Sequence, residues 1–82
     1  MVQFGVVADD FTGACDVGIQ FRKYGLETTV LSSTKALENI GEPKVVVVDT
    51  ESRNDSSDTA YKKTRETVRT LKKKGVRLVY KK

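Results

Sequence analysis

Carboxylates, one arginine and a set of lysines are the groups with which this chain can do chemistry. It has no histidine and a single cysteine, Cys15. Ser-His-Asp and Cys-His routes and histidine-held zinc are therefore closed within it. A lone cysteine makes neither an internal disulfide nor a metal site. The reactive groups gather at three places. Asp9-Asp10 follows one apolar run and leads into Thr12-Gly13; Asp49-Thr50-Glu51-Ser52-Arg53 follows four valines; Lys81-Lys82 follows a third apolar segment.

Adjacent carboxylates repel each other unless a metal ion, a substrate hydroxyl or a nearby Arg or Lys neutralises them. A simpler role, capping the following turn, is open to one of the pair. Thr12-Gly13 at a helix start offers free N–H groups to an anion, and the glycine lets a ligand approach the backbone closely. An ordinary N-cap at Thr12, with Asp16 in the first turn facing the helix dipole, accounts for the same residues. The glycine-rich run and Lys-Ser/Thr of a P-loop are missing, and Gly5 belongs to no dinucleotide fingerprint. Arg53 presents a planar fork suited to a carboxylate or phosphate, or it is a solvated surface arginine. Cys15 reads as a small core residue beside the site.

The elements that must position these groups alternate. Val2 to Ala8 reads as a strand, β1. Ala14, Val17, Gly18 and Phe21 recur at helical spacing, Arg22 and Lys23 fall in the last turn, and Gly25 ends this helix, α1. Thr28 to Leu31 is β-branched and reads as β2. Ser33 to Ile40 is a weak short helix, ended by Gly41-Glu42-Pro43. Val45 to Val48 is a fully buried strand, β3, and Asp49 to Asp58 is a polar loop. Ala60, Thr64, Val68 and Leu71 mark one face of a second long helix, α2, which Gly75 ends. Val76 to Tyr80 is β4.

This alternation implies an α/β fold: a three-layer arrangement with a short parallel sheet and helices on both faces. Right-handed crossovers predict the strand order 2-1-3-4, with α1 on one face and the other helices opposite. The switch point then lies between β1 and β3, and ligands in open α/β sheets bind there, outside the carboxyl ends of the strands. Neighbouring strands are about 4.8 Å apart, so Asp9-Asp10 and the Asp49–Arg53 segment face one crevice. Lys81-Lys82 is expected one strand further out.

Composition narrows the class. The 82 residues are 38% hydrophobic and 32% charged, ordinary for one small globular domain. No apolar run approaches the ~18 residues of a membrane span. The segment Met1 to Gly5 carries no signal-peptide pattern, so a cytoplasmic protein is expected. The net charge of +4 comes largely from Lys62-Lys63, Lys72-Lys73-Lys74 and Lys81-Lys82. These read as a solvated helix face and a charged end, not a nucleic-acid surface, since no aromatics interleave with them.

Two stretches go beyond a generic α/β pattern: Val7-Ala8-Asp9-Asp10-Phe11-Thr12-Gly13-Ala14-Cys15-Asp16 and Val48-Asp49-Thr50-Glu51-Ser52-Arg53. Together, in order, they resemble the N-terminal domain of the four-carbon acid sugar kinases, which phosphorylate erythronate, threonate, 3-oxo-tetronate and related acids with ATP. The resemblance runs from the first strand to Lys82. It implies a small-molecule sugar acid as ligand, with Asp9, Asp10, Thr12 and Gly13 lining the site and contacting substrate hydroxyls. It implies that Arg53, with Lys82, binds the substrate carboxylate, and that Asp10 orients or deprotonates the attacking hydroxyl. ATP and Mg2+ belong to the parent enzyme. Family members are several times longer, with a C-terminal domain that supplies most of the ATP site and an Asp-Ser-Thr-type motif after a strand like β4. Residues 1–82 therefore correspond to part of the substrate-binding domain, with the nucleotide-binding domain absent. The chain alone is expected to be inactive, to hold no cofactor and to self-associate through the free edge of β4.

A receiver domain of two-component signalling is the alternative from another class. It also places two acids after β1 and an aspartate after β3. Asp49 would then accept the phosphoryl group, with Asp9 and Asp10 on magnesium.

Overall fold

Four successive valines, Val45 to Val48, are wholly buried, which only a strand with neighbours on both edges and cover on both faces achieves. The computed structural model describes residues 2–82. It contains β1 (Phe4–Ala8), α1 (Phe11–Lys23), β2 (Thr28–Leu31), a 3-10 helix (Thr34–Asn39), β3 (Val45–Asp49), α2 (Ser57–Lys73) and β4 (Leu78–Lys81). The α/β class, the parallel sheet and the succession of elements along the chain follow the sequence reading; β1 and β4 begin two residues later than expected, and the short helix is of the 3-10 type.

Two hydrophobic layers form where side chains alternate across the sheet. Val6, Ala8, Val45 and Val47 pack with Ala14, Val17 and Phe21 of α1. On the other face Val7, Val46 and Val48 pack with Leu37 of the 3-10 helix and with Val68 and Leu71 of α2. Thr67 is also fully buried on α2. Its hydroxyl donates to the Lys63 carbonyl at 2.9 Å and lies 2.8 Å from that of Thr34, so a polar side chain joins this layer without a lost hydrogen bond. Gly25 (φ +80°) and Gly75 (φ +87°) end α1 and α2 in the left-handed conformation that favours glycine.

The strand order is β2-β3-β1-β4, not 2-1-3-4. Both orders put the two most apolar strands inside; they differ in which edge strand joins which. The physical reason lies in the connections. α1 and α2, of 13 and 17 residues, each pass over one intervening strand. The β2–β3 link contains only a six-residue 3-10 helix, about 12 Å long at 2.0 Å per residue, and returns to the adjacent position. β3 therefore lies beside β2, and β4 pairs with β1. The order also departs from the 2-1-3-4-5 sheet of receiver domains.

The register levels the three polar clusters. Ala8 of β1 pairs with Asp49 of β3, and Val7 pairs with Lys81 of β4. Residues 9–10, 50–53 and 82 thus emerge side by side. β1 exits toward α1 on one face and β3 exits toward α2 on the other, which leaves the crevice between them.

Candidate functional site

Asp10 is the residue on which the local structure turns. It is the N-cap of α1, and its Oδ1 accepts from the Gly13 N–H at 2.7 Å. The cap is therefore Asp10 and not Thr12, and Asp16 falls outside the first turn, which holds no acidic residue. Its other oxygen, Oδ2, accepts from the Arg53 guanidinium in an ion pair across the crevice. The Gly13 N–H above all holds the Asp10 carboxyl below its ordinary value of 3.8; desolvation, next in size, opposes it, and Arg53 and Lys82 add to the lowering.

Gly13 is required by close approach. A Cβ there would lie 2.8 Å from Asp10 Oδ1 and 3.3 Å from Lys82 Nζ. Lys82, whose N–H donates to the Val7 carbonyl at 2.9 Å, thus lays its ammonium over the start of α1. Pairing of β4 with β1 makes this possible; Lys82 is nearer the Asp pair than the expected order allowed.

The loop after β3 is held by its backbone. The Asp9 carbonyl accepts from the N–H groups of Ser52 (3.0 Å) and Arg53 (3.1 Å), and the Ala8 carbonyl from that of Thr50 (2.9 Å). Buried hydroxyls of Thr50 and Ser52 meet at 2.8 Å. Asp49, 2% exposed, turns its Oδ1 back to the Glu51 N–H at 2.7 Å. Glu51 itself has φ +52°, a left-handed conformation that costs a non-glycine residue roughly 1 kcal/mol.

The result is an open crevice of about 420 Å³ lined by Asp9, Asp10, Phe11, Asp49, Glu51, Arg53 and Asn54, within the range of small-molecule sites. One guanidinium faces four carboxylates. Of the residues singled out from sequence, Asp9, Asp10 and Arg53 converge here. Gly13 and Lys82 meet just behind Asp10, and Thr12 stands exposed on the first turn. Phe11, Glu51 and Asn54 were given no role from sequence, although Phe11 and Glu51 lie inside the two motifs. Cys15 is half-buried and lines a separate hollow with Gly18, Ile19, Arg22, Thr28 and Val30; the buried core residue is its neighbour Ala14. Among the described residues no group of three or more His, Cys, Asp or Glu is arranged to hold a metal ion. Among the same residues no helix is long and apolar enough to cross a membrane.

The chain is similar in sequence and fold to known proteins. A family model described as "Sugar-binding N-terminal domain" matches residues 4–82. A 3-oxo-tetronate kinase from Pectobacterium atrosepticum is 30% identical over 80 residues, covering 98% of this chain and 19% of that protein. A solved structure from Salmonella typhimurium LT2, of a protein provisionally named a tRNA synthase, superposes with a TM-score of 0.87 at 30% identity. It covers 100% of this chain and 20% of the other. The chain thus spans about a fifth of the length of these relatives.

Proposed function

Because the chain belongs to the sugar-binding N-terminal domain family of the four-carbon acid sugar kinases, we propose that its crevice holds a four-carbon sugar acid as phosphoryl acceptor for a longer ATP-dependent kinase. The observation that carries this reading is the single guanidinium of Arg53 set among hydrogen-bond-accepting carboxylates. A tetronate offers matching parts, one carboxylate and several hydroxyls.

In this reading the substrate carboxylate takes the place of Asp10 on Arg53 and forms the two-pronged pairing that guanidinium favours. Lys82 adds positive charge beside it. Asp10 Oδ2, released from Arg53, then accepts from a substrate hydroxyl while Oδ1 keeps the Gly13 cap. Asp9 accepts from a second hydroxyl, and Thr12 and Gly13 bound the site at the helix start. The depressed pKa makes Asp10 a weak proton acceptor at neutral pH, so its role is to orient the attacking hydroxyl. Phosphoryl transfer depends mostly on positioning and charge neutralisation, which such a site supplies on the acceptor side. ATP and Mg2+ would be held by the remainder of the longer parent protein, where they would supply the phosphoryl group and neutralise its charge. The 82-residue chain alone is accordingly inactive as a kinase.

A tRNA-directed reading taken from the Salmonella protein's name draws no support from the crevice, whose four carboxylates repel a polyanion. The receiver reading is disfavoured by the strand order and by the burial of Asp49.

Calorimetric titration with erythronate, threonate and 3-oxo-tetronate, beside the neutral polyol erythritol, tests the proposal. Saturable binding of at least one acid and none of the polyol is expected. Equal binding of the polyol would remove Arg53 from its assigned role.

A further inference from the structure

Lys63 lies on α2, in a stretch whose lysines read from sequence as a solvated face, and it behaves differently. Its Nζ donates to the Glu51 carbonyl at 3.2 Å and pairs with Asp55 Oδ2 at 2.7 Å. Both partners belong to the loop that carries Arg53, one on each side of it. The Glu51 residue so gripped is the one in the left-handed conformation. Its N–H is held by Asp49 and its C=O by Lys63, so two charged side chains from β3 and α2 fix opposite ends of one strained residue.

We infer that Lys63 is a positioning residue for Arg53: it clamps the 51–55 loop to α2 and thereby sets where the guanidinium stands in the crevice. Lys63 lines neither the crevice nor the Asp10 cap, and it acts only through the loop backbone and Asp55. Arg53 has an exposed side chain, 68% accessible, and gains little orientation from packing. Beyond its ion pair with Asp10, its direction depends on its backbone, held by Asp9 from one side and, through Glu51 and Asp55, by Lys63 from the other. A charged donor to a carbonyl is stronger than a neutral one, and with the Asp55 ion pair it ties the polar loop to α2. The consequence for ligand binding rests on the sugar-acid reading of the crevice; the clamp itself does not.

The test compares Lys63→Met, which keeps the apolar stem and removes the charge, with Lys63→Arg and with Lys62→Met on the neighbouring lysine. Amide hydrogen exchange is measured without ligand, and titration with erythronate, threonate and 3-oxo-tetronate follows. Lys63→Met is expected to speed exchange at Arg53 and Asp55 about tenfold, the equivalent of one exposed charge-assisted hydrogen bond. Val46 to Val48 should remain protected, showing that the fold is intact. Acid binding should weaken by a similar factor; Lys63→Arg should restore both, and Lys62→Met should change neither. Unaltered exchange at Arg53 and Asp55 in Lys63→Met, or unaltered affinity where the parent chain binds, would overturn the inference. Faster loop exchange in a protein that binds none of the acids would uphold the clamp and defeat the sugar-acid reading alone.

Discussion

Asp10 and Arg53, 43 residues apart in sequence, are joined by an ion pair that spans the crevice between β1 and β3. The pair answers the repulsion built into Asp9-Asp10 from inside the chain. It also means that any anionic ligand of Arg53 competes with a carboxylate already in place, while the displaced carboxylate becomes free for a hydroxyl. A ligand with both groups gains on both sides of the exchange.

Asp10 should make the stability of the domain depend on pH in the acid range. Its folded pKa is lowered from 3.8, so the unfolded chain binds the proton more readily. The stabilisation is fully present above about pH 4 and is lost as pH falls through the folded value. Asp10→Asn should flatten the acid limb of a urea-denaturation series measured from about pH 6 to about pH 2. An unchanged acid limb would show that the Gly13 and Arg53 contacts contribute nothing there.

Gly13→Ala should destabilise, against the usual trend. Alanine ordinarily gains roughly 1 kcal/mol over glycine within a helix, but its Cβ would press on the Asp10 carboxylate at 2.8 Å. A lower midpoint in urea, with a weaker acid dependence than the parent, is the expected result. A higher midpoint would mean that Asp10 and Lys82 move aside freely.

Much of this architecture is legible in the amino-acid sequence. Val45–Val48 and Val2–Ala8 announce interior strands, and strand–helix alternation announces the sheet edge that gathers Asp9, Asp10 and Arg53. Edge pairing is not legible: β2 and β4 are both short and half-polar, and hydropathy does not say which interior strand each joins. That depends on how far a 3-10 segment reaches. Thr12 competes with Asp10 for the cap because Asp, Thr and Gly all suit a helix start. The burial of Thr67 escapes the sequence because it relies on Thr34, and the role of Lys63 escapes it because a clamp and a solvated lysine look alike there.

Gly18→Ala should cost about 1–3 kcal/mol through overpacking. Gly18 is buried where α1 crosses β2, and a Cβ there would lie 2.6 Å from Val30 Cγ2. Thermal denaturation would show a lower midpoint with the fold kept; a raised midpoint would indicate that β2, an edge strand, simply yields.

Among the described residues the outer edge of β4 is unpaired, and Leu78 and Tyr80 are exposed beside it. Self-association through this edge is expected at high concentration. Sedimentation should give a mass that rises with concentration in the parent chain and stays monomeric in Val79→Pro, since proline blunts a strand edge. Monomeric behaviour of the parent throughout would contradict it.

Thermal shift of the parent chain and of Arg53→Ala, each with erythronate, threonate and 3-oxo-tetronate, goes to the sugar-acid site itself. At least one acid should raise the midpoint of the parent, and the rise should disappear in Arg53→Ala, whose own midpoint without ligand stays near that of the parent. An acid that stabilises both proteins equally, or no stabilisation by any of the three, would contradict a sugar-acid site centred on Arg53.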